Sequence, residues 1–228
     1  MKSFPKLTIV LMILLAAASG CGEVPGSGGK KKKSSSRARK RAPVAANAFG
    51  SVDQAVSELI EAATDKNLQK QDRAGDWLAD RGAKSIDPLA AILKSSDQSE
   101  QARVAACRVL AKLGPGARSA LLQATDDETQ IVRLAATRLL GAIQPADKQT
   151  VDRLIQLLGH QDRQTKRAAV RSLGEIGKEA KAAAKAAIEP LVAIYRDESN
   201  DQLLRQDAVQ ALKIINPRKD LTDLLLND

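Results

Sequence analysis

Apolar residues recur along this chain at the spacing of an α-helix, in short segments that polar turns separate. The clearest segment covers residues 103–114. Within it, Ala106, Leu110 and Leu113 fall on one side of a helix that turns by about 100° per residue. The pattern predicts an amphipathic α-helix.

The segment is one copy of a repeat. Other strong copies start at Arg133 and Lys166, and weaker copies start at Gln71 and Arg205. One leucine aligns the five copies, and it stands at Leu78, Leu110, Leu140, Leu173 and Leu212. The intervals between these leucines are 32, 30, 33 and 39 residues. Because a period in this range is typical of stacked repeats, the sequence predicts an all-α solenoid.

A second amphipathic segment precedes each copy, which predicts about five helix pairs. The predicted pairs are 52–63 with a helix ending at 82, 88–94 with 100–113, about 117–125 with 130–143, 148–158 with 164–176, and 190–195 with 202–215. Ser51 and Gln54 have the spacing of a capping box, and Asp87 is placed to cap a helix that has Pro88 in its first turn. Gly82 suits a left-handed helix end.

Two further segments complete the predicted repeat domain, which covers residues 51–228. The alanine-rich residues 178–187 open the fifth repeat. Residues 218–226 are predicted to form a short last helix, in which Leu221, Leu224 and Leu225 cover the apolar end of the stack. Terminal repeats need such a cap because their outer face has no neighbour.

The repeat unit Arg-x-Ala-Ala-x-x-x-Leu-x-x-Leu/Ile-Gly, together with Pro88-Leu89 and Pro190-Leu191, resembles the HEAT and phycobilisome-lyase-type HEAT-like repeats over residues 51–216. The resemblance implies a right-handed α-solenoid. It implies little about function, because the repeat family includes lyases, hydroxylases and adaptors without any chemistry.

The first twenty residues have the form of an export signal, with Lys2 and Lys6 before an apolar run that is too short to span a bilayer. Small residues followed by Cys21 resemble a bacterial lipoprotein signal, which implies lipidation of Cys21. The alternative is an ordinary cleaved signal that leaves Cys21 as a free thiol. Gly22, and not an acidic residue, stands directly after the cysteine, so the outer membrane is favoured where the cell has one, and the protein is expected at the periplasmic face of the envelope.

Residues 21–50 are rich in Gly, Ser, Pro and Ala and are predicted to form a disordered basic linker. Residues 1–50 hold 10 of the 36 basic residues and 1 of the 27 acidic ones, which leaves 26 of each in the remainder. The repeat domain is therefore neutral, and a nucleic-acid partner is not expected. The membrane-proximal lysines of the linker could attract anionic lipid head groups or serve as a solvated spacer. They are Lys30, Lys31, Lys32 and Lys33.

Arg108, Arg138 and Arg171 occupy the same position in three repeats, about 140° away from the centre of the apolar side. Stacking would align them on the inner helices, which usually line the concave surface of a solenoid. Because the planar guanidinium group suits carboxylates, we predict that these arginines bind a protein partner. The alternative is a solvated face with internal ion pairs.

A basic residue also recurs at the start of each second helix, at Arg103, Arg133, Lys166 and Arg205. An acidic residue precedes each one by four or six positions, namely Asp97, Asp127, Asp162 and Asp201. A cation at this end of a helix opposes the helix dipole and therefore needs a carboxylate. The spacing predicts a structural ladder in which each aspartate ties a turn to its own helix.

The sequence lacks the usual components of a catalytic centre. His160 is the single histidine and is followed by Gln161, so the His-Glu pairs of the HEAT-like hydroxylases cannot form. Trp77 and Cys107 align with apolar or small residues and are expected in the core. We therefore expect neither catalysis nor a cofactor, metal or small-molecule substrate; the alternative is a HEAT-like enzyme of the lyase or hydroxylase type.

Overall fold

The computed structural model describes residues 48–217, and all regular structure in that range is helical. The helices form five consecutive pairs that stack side by side, and one short helix precedes the fifth pair. The pairs are α1 (Val52–Thr64) with α2 (Leu68–Asp80), α3 (Ile86–Lys94) with α4 (Glu100–Leu113), α5 (Arg118–Ala124) with α6 (Gln130–Ala142), α7 (Lys148–Leu157) with α8 (Arg163–Glu179), and α10 (Ile188–Arg196) with α11 (Gln202–Ile215); α9 is Lys181–Ala184.

The predicted α-solenoid of five helix pairs is therefore confirmed, with local corrections. Asp87 does not cap α3, because a 3₁₀ turn over Gly82–Ser85 runs directly into the helix and places Asp87 in its first turn. Gly82 has the predicted left-handed conformation, with φ of 58°. The alanine-rich segment is helical only over Lys181–Ala184 and a following 3₁₀ turn, because α8 continues to Glu179 and ends at Ala180. The predicted last helix lies outside the described residues.

The second helices of the five pairs form a continuous layer. They contact one another extensively along the stack, whereas successive first helices barely meet. The five aligning leucines lie between the layers with no exposed surface, and full burial of a leucine stabilises a fold by about 1.5–3 kcal/mol. Since the second helices approach each other more closely, their layer forms the inner side of the array.

Small residues set the spacing between second helices. A Cβ atom added to Gly141 on α6 would lie 2.9 Å from the backbone Cα of Ser172 on α8, and one on Gly174 would lie 3.4 Å from the Cα of Ala211. The Ser172 hydroxyl donates a 3.0 Å hydrogen bond to the carbonyl of Thr137. The glycines that directly follow the aligning leucines of α6 and α8 are thus packing positions within their helices.

The first repeat contains a packed pair of aromatic residues. The Phe49 and Trp77 rings meet edge to face, with centroids 5.4 Å apart, and the guanidinium groups of Arg73 and Arg81 lie over them. Trp77 is buried, as predicted. In the last described repeat, Lys213 stands where α6 and α8 have glycine, so α11 cannot accept another helix at the same short distance.

Candidate functional site

The surface that the second helices turn away from the first helices is called here the inner face. Its equivalent positions on α2, α4, α6, α8 and α11 carry Asp76, Arg108, Arg138, Arg171 and Gln210. The three arginines are all exposed. The structure therefore brings the predicted site residues onto one surface, on three successive second helices.

The side chains at the two ends of this row are paired within the protein. At the first end, the Lys112 ammonium group lies 2.6 Å from the Asp76 carboxylate. At the other end, the Asp207 carboxylate accepts hydrogen bonds from Arg171 Nε at 3.0 Å and from Arg167 Nε at 2.9 Å. Sequence reasoning missed Asp207, because the three strong copies have alanine at its position.

Arg108 and Arg138 differ from Arg171 in their partners. Neither side chain forms an ion pair or a hydrogen bond with any residue of the described range 48–217. Both belong to the middle of the inner face, on the adjacent helices α4 and α6. The centre of the inner face therefore presents two guanidinium groups with five N–H donors each.

Several aliphatic side chains lie beside these two arginines, together with the charged Lys112, which is one turn from Arg108. Val104 and Ala111, one helical turn from Arg108, are half-buried. Ala135 is half-buried and Ala142 is exposed, each one turn from Arg138. These short side chains leave room for another polypeptide backbone to approach the helices.

The second recurrent basic position is structural, but its acidic partner differs from the prediction. Arg103 forms an ion pair with Asp127 in the turn of the next repeat, instead of with Asp97 of its own turn. Arg133 likewise lies 3.5 Å from Asp162 of the next repeat, while its NH1 donates to the carbonyl of Asp127 at 2.6 Å. The ladder joins successive repeats, because the start of each second helix faces the following turn.

The other two members of that position, Lys166 and Arg205, form no ion-pair contact with an aspartate of a following turn within residues 48–217. Arg205 donates a 2.8 Å hydrogen bond to the carbonyl of Tyr195 and lies over the tyrosine ring. Asp201 instead caps α11 and lies 3.5 Å from Arg163. The ladder is therefore continuous only between the second and fourth repeats.

Asp162 is the most strongly held carboxylate of the ladder. Burial raises its pKa, but hydrogen bonds from the Thr165 hydroxyl, the Gln130 amide and the backbone N–H groups of Gln164 and Thr165 outweigh that effect and lower the pKa to about 2. These bonds stabilise the charged form. Asp162 thus stays ionised at neutral pH while it caps α8 and holds Gln130 of α6.

The side chains that could take part in catalysis are either hydrogen-bonded or buried. His160 Nδ1 accepts a 2.9 Å hydrogen bond from the backbone N–H of Asp162. Cys107 has no exposed surface, and desolvation by burial raises the pKa of its thiol to about 12. Within the described range, no group of three or more His, Cys, Asp or Glu side chains could hold a metal ion.

Two open clefts lie on the side of the first helices. One, of about 510 Å³, is bounded by α3, α5 and the turn that contains Asp127. The other, of about 630 Å³, separates α5 from α7 and includes Arg153. The polar side chains Arg103, Asp127, Asp126 and Arg153 in these clefts already form ion pairs. Neither cleft includes an inner-face arginine.

The predicted lipidation site Cys21 and the lysines at 30–33 lie outside the described residues. In the part of the chain that is described, every helix is too short or too polar to cross a bilayer.

A family model for HEAT repeats matches residues 56–141 and 118–213 of the chain. A search of the curated proteins finds no match. Among solved structures, a chain of the CpcE–CpcF complex of phycocyanin lyase from a Nostoc species is 21% identical, with a TM-score of 0.57; the match covers 69% of this chain and 97% of that one. A designed armadillo repeat protein in complex with a (KR)4 peptide is 18% identical, with a TM-score of 0.48; the match covers 73% of this chain and 87% of that one.

Proposed function

We propose that this chain, which belongs to the HEAT-repeat family, is a non-catalytic scaffold that binds a protein partner through its inner face at the cell envelope. The observation that carries the proposal is the pair Arg108 and Arg138, which are exposed at the centre of the inner face and have no counter-ion in the described range. An exposed, unpaired guanidinium group has its donors free for a partner.

The non-catalytic part of the proposal is supported by the state of the reactive side chains. His160 holds a turn, the Cys107 thiol is inaccessible, and the ion pairs in the two clefts serve packing between repeats. Purified protein is expected to have no absorbance beyond that of its aromatic residues and no bound metal. A bound chromophore, or iron in stoichiometric amount, would favour a repeat-family enzyme instead.

The envelope part of the proposal rests on the leader. Lipidation of Cys21 would attach the protein to the membrane, and the lysines at 30–33 would strengthen the attachment to anionic lipids. Metabolic labelling with a fatty acid should mark the wild type but not Cys21→Ser. The unlipidated protein should bind anionic vesicles less well after all four lysines are replaced by alanine, and unchanged binding would reject the role of the lysines.

The partner site is tested by replacing Arg108, Arg138 and Arg171 with alanine together. The triple variant is expected to fold normally, by circular dichroism, and to lose the partner that co-purifies with the wild type from its own cells. A matched control replaces Lys84, Lys148 and Lys185, three exposed cations outside the inner face, and should retain that partner. Equal recovery of the partner with both variants would contradict the proposal.

A further inference from the structure

We propose that the partner segment is acidic and extended, and that it places one carboxylate on Arg108 and another on Arg138. This inference rests on the proposed function, because it specifies what binds to the same inner face. It differs from the sequence-based prediction, which treated Arg108, Arg138 and Arg171 as equivalent.

The charge distribution favours an acidic segment at the centre of the inner face. Arg108 and Arg138 have no anionic partner within residues 48–217, and the nearest equivalent positions on either side are already paired. Complementary charge across an interface sets both the choice of partner and the rate of association. A basic segment, including the chain's own linker, would be repelled from this surface.

The ends of the row limit where the acidic segment can lie. Each end of the inner face carries one carboxylate that is already paired. Asp76 pairs with Lys112 at one end, and Asp207 pairs with Arg167 and Arg171 at the other. The single carboxylate of Asp207 accepts hydrogen bonds from both Arg171 and Arg167. Binding at Arg171 would require an incoming carboxylate to compete with Asp207, so we assign recognition to α4 and α6.

The distance between the two helices sets the spacing of the carboxylates. Packed helices lie about 8–10 Å apart, and an extended chain rises by about 3.3 Å per residue. Two acidic residues that are two or three positions apart along the segment therefore match the two arginines. Ala135 and Ala142 beside Arg138 allow the backbone of such a segment to come close to the helix surface.

Fluorescence anisotropy with short labelled peptides tests this assignment on the purified protein. The probe is (Glu-Ser)4, in which glutamates alternate, and (Lys-Ser)4 is the control for charge. We expect (Glu-Ser)4 to bind, with an affinity that falls as salt rises, and (Lys-Ser)4 not to bind. A peptide with glutamates only at its two ends, seven serines apart, should bind more weakly. Equal binding of the acidic and basic peptides would overturn the proposal, and so would equal binding of the two glutamate spacings.

Paired variants locate the binding site. Replacing Arg108 and Arg138 by alanine should weaken the binding of (Glu-Ser)4 by about tenfold. Arg171→Ala should change it less than about twofold, because the Arg171 guanidinium group already donates to Asp207. An equal loss in both variants would overturn the assignment to α4 and α6. Tighter binding of an eight-nucleotide oligothymidylate through the same two arginines would overturn the choice of a carboxylate ligand.

The outcome for the peptide is separable from that for the proposed function. If (Glu-Ser)4 fails to bind while the triple arginine variant loses its cellular partner, the scaffold function stands and the acidic class is rejected. If (Glu-Ser)4 binds through Arg108 and Arg138 while the cellular partner is retained by the triple variant, the peptide site stands and the proposed function at this face is rejected.

Discussion

Arg103 on α4 and Asp127 in the turn before α6 form an ion pair across the boundary between two repeats, with only 13% and 7% of their side chains exposed. The same guanidinium group donates two hydrogen bonds, of 3.2 and 3.3 Å, to the carbonyl of Leu93 at the end of α3. One side chain thus connects the last turn of a first helix, its own second helix and the next repeat.

This connection predicts different effects for two neighbouring aspartates. Asp127→Ala should lower the free energy of unfolding by about 2 kcal/mol, because it leaves the nearly buried Arg103 without its counter-ion. Asp126 pairs with Arg153 but is 72% exposed, so Asp126→Ala should cost less than about 1 kcal/mol. Urea denaturation of the two variants measures the difference, and equal destabilisation would show that burial does not determine the strength of these pairs.

The close approach of α6 and α8 predicts the effect of adding one methyl group. Gly141→Ala should destabilise the protein by about 1–3 kcal/mol, because the new Cβ would overlap the backbone of Ser172, although alanine favours the helix by about 1 kcal/mol. In Gly116→Ala the nearest atom would be Ile86 Cδ1 at 3.5 Å, an ordinary contact, and stability should hardly change. Thermal melts of both variants test this, and a stabilised Gly141→Ala would contradict the packing.

The lowered pKa of Asp162 predicts part of the loss of folding stability in acid. Its pKa is about 2 in the folded protein against 3.8 as the ordinary value, so its contribution to stability is complete above about pH 4 and is lost as the pH falls towards 2. Asp162→Asn should therefore be less stable than the wild type at pH 7, by no more than about 2 kcal/mol. The difference should shrink as the pH falls below about 4 and vanish below about pH 2. Urea titrations at several pH values measure it, and a difference that is constant with pH would exclude this carboxylate as its source.

The hydrophobic core is divided between the third and fourth repeats. One cluster of buried apolar residues extends from Phe49 to Ile143 and the other from Val151 to Ile215. Buried polar side chains concentrate around the division, at Thr125, Thr137, Thr150, Thr165 and Ser172. Hydrogen bonds cross this boundary from Ser172 to the carbonyl of Thr137, from Arg133 to Thr165 and from Arg153 to Thr125.

The division predicts that the two parts lose structure separately when one is weakened. Leu191→Ala in the second cluster should destabilise that part by about 2–5 kcal/mol, because Leu191 has no exposed surface. Fluorescence of the single tryptophan, Trp77, reports only the first cluster. Its transition in urea should come at a higher concentration than the loss of helix measured by circular dichroism. Coincident transitions would show that the whole array unfolds as one unit.

The sequence was sufficient to predict the helix pairs, because their apolar residues keep the helical period and the aligning leucines recur at a regular interval. It was also sufficient to predict that Arg108, Arg138 and Arg171 are exposed on one side. It did not reveal that Asp127 pairs with Arg103 of the preceding repeat. Spacing along the chain cannot distinguish a contact within a repeat from one between repeats. The pairing of Arg171 with Asp207 was missed for the same reason, because these residues are 36 positions apart and meet only when the helices stack.

We propose above all that the inner face, and not a cleft on the first helices, receives the partner. A photo-crosslinking amino acid placed at Ala142, exposed beside Arg138, should capture a defined partner in the native cell, and the capture should disappear when Arg108 and Arg138 are replaced by alanine. The same amino acid at Ser119, exposed on the first helix α5, should capture nothing at a comparable level. Capture from Ser119 that does not depend on Arg108 and Arg138, with none from Ala142, would show that the first helices receive the partner instead.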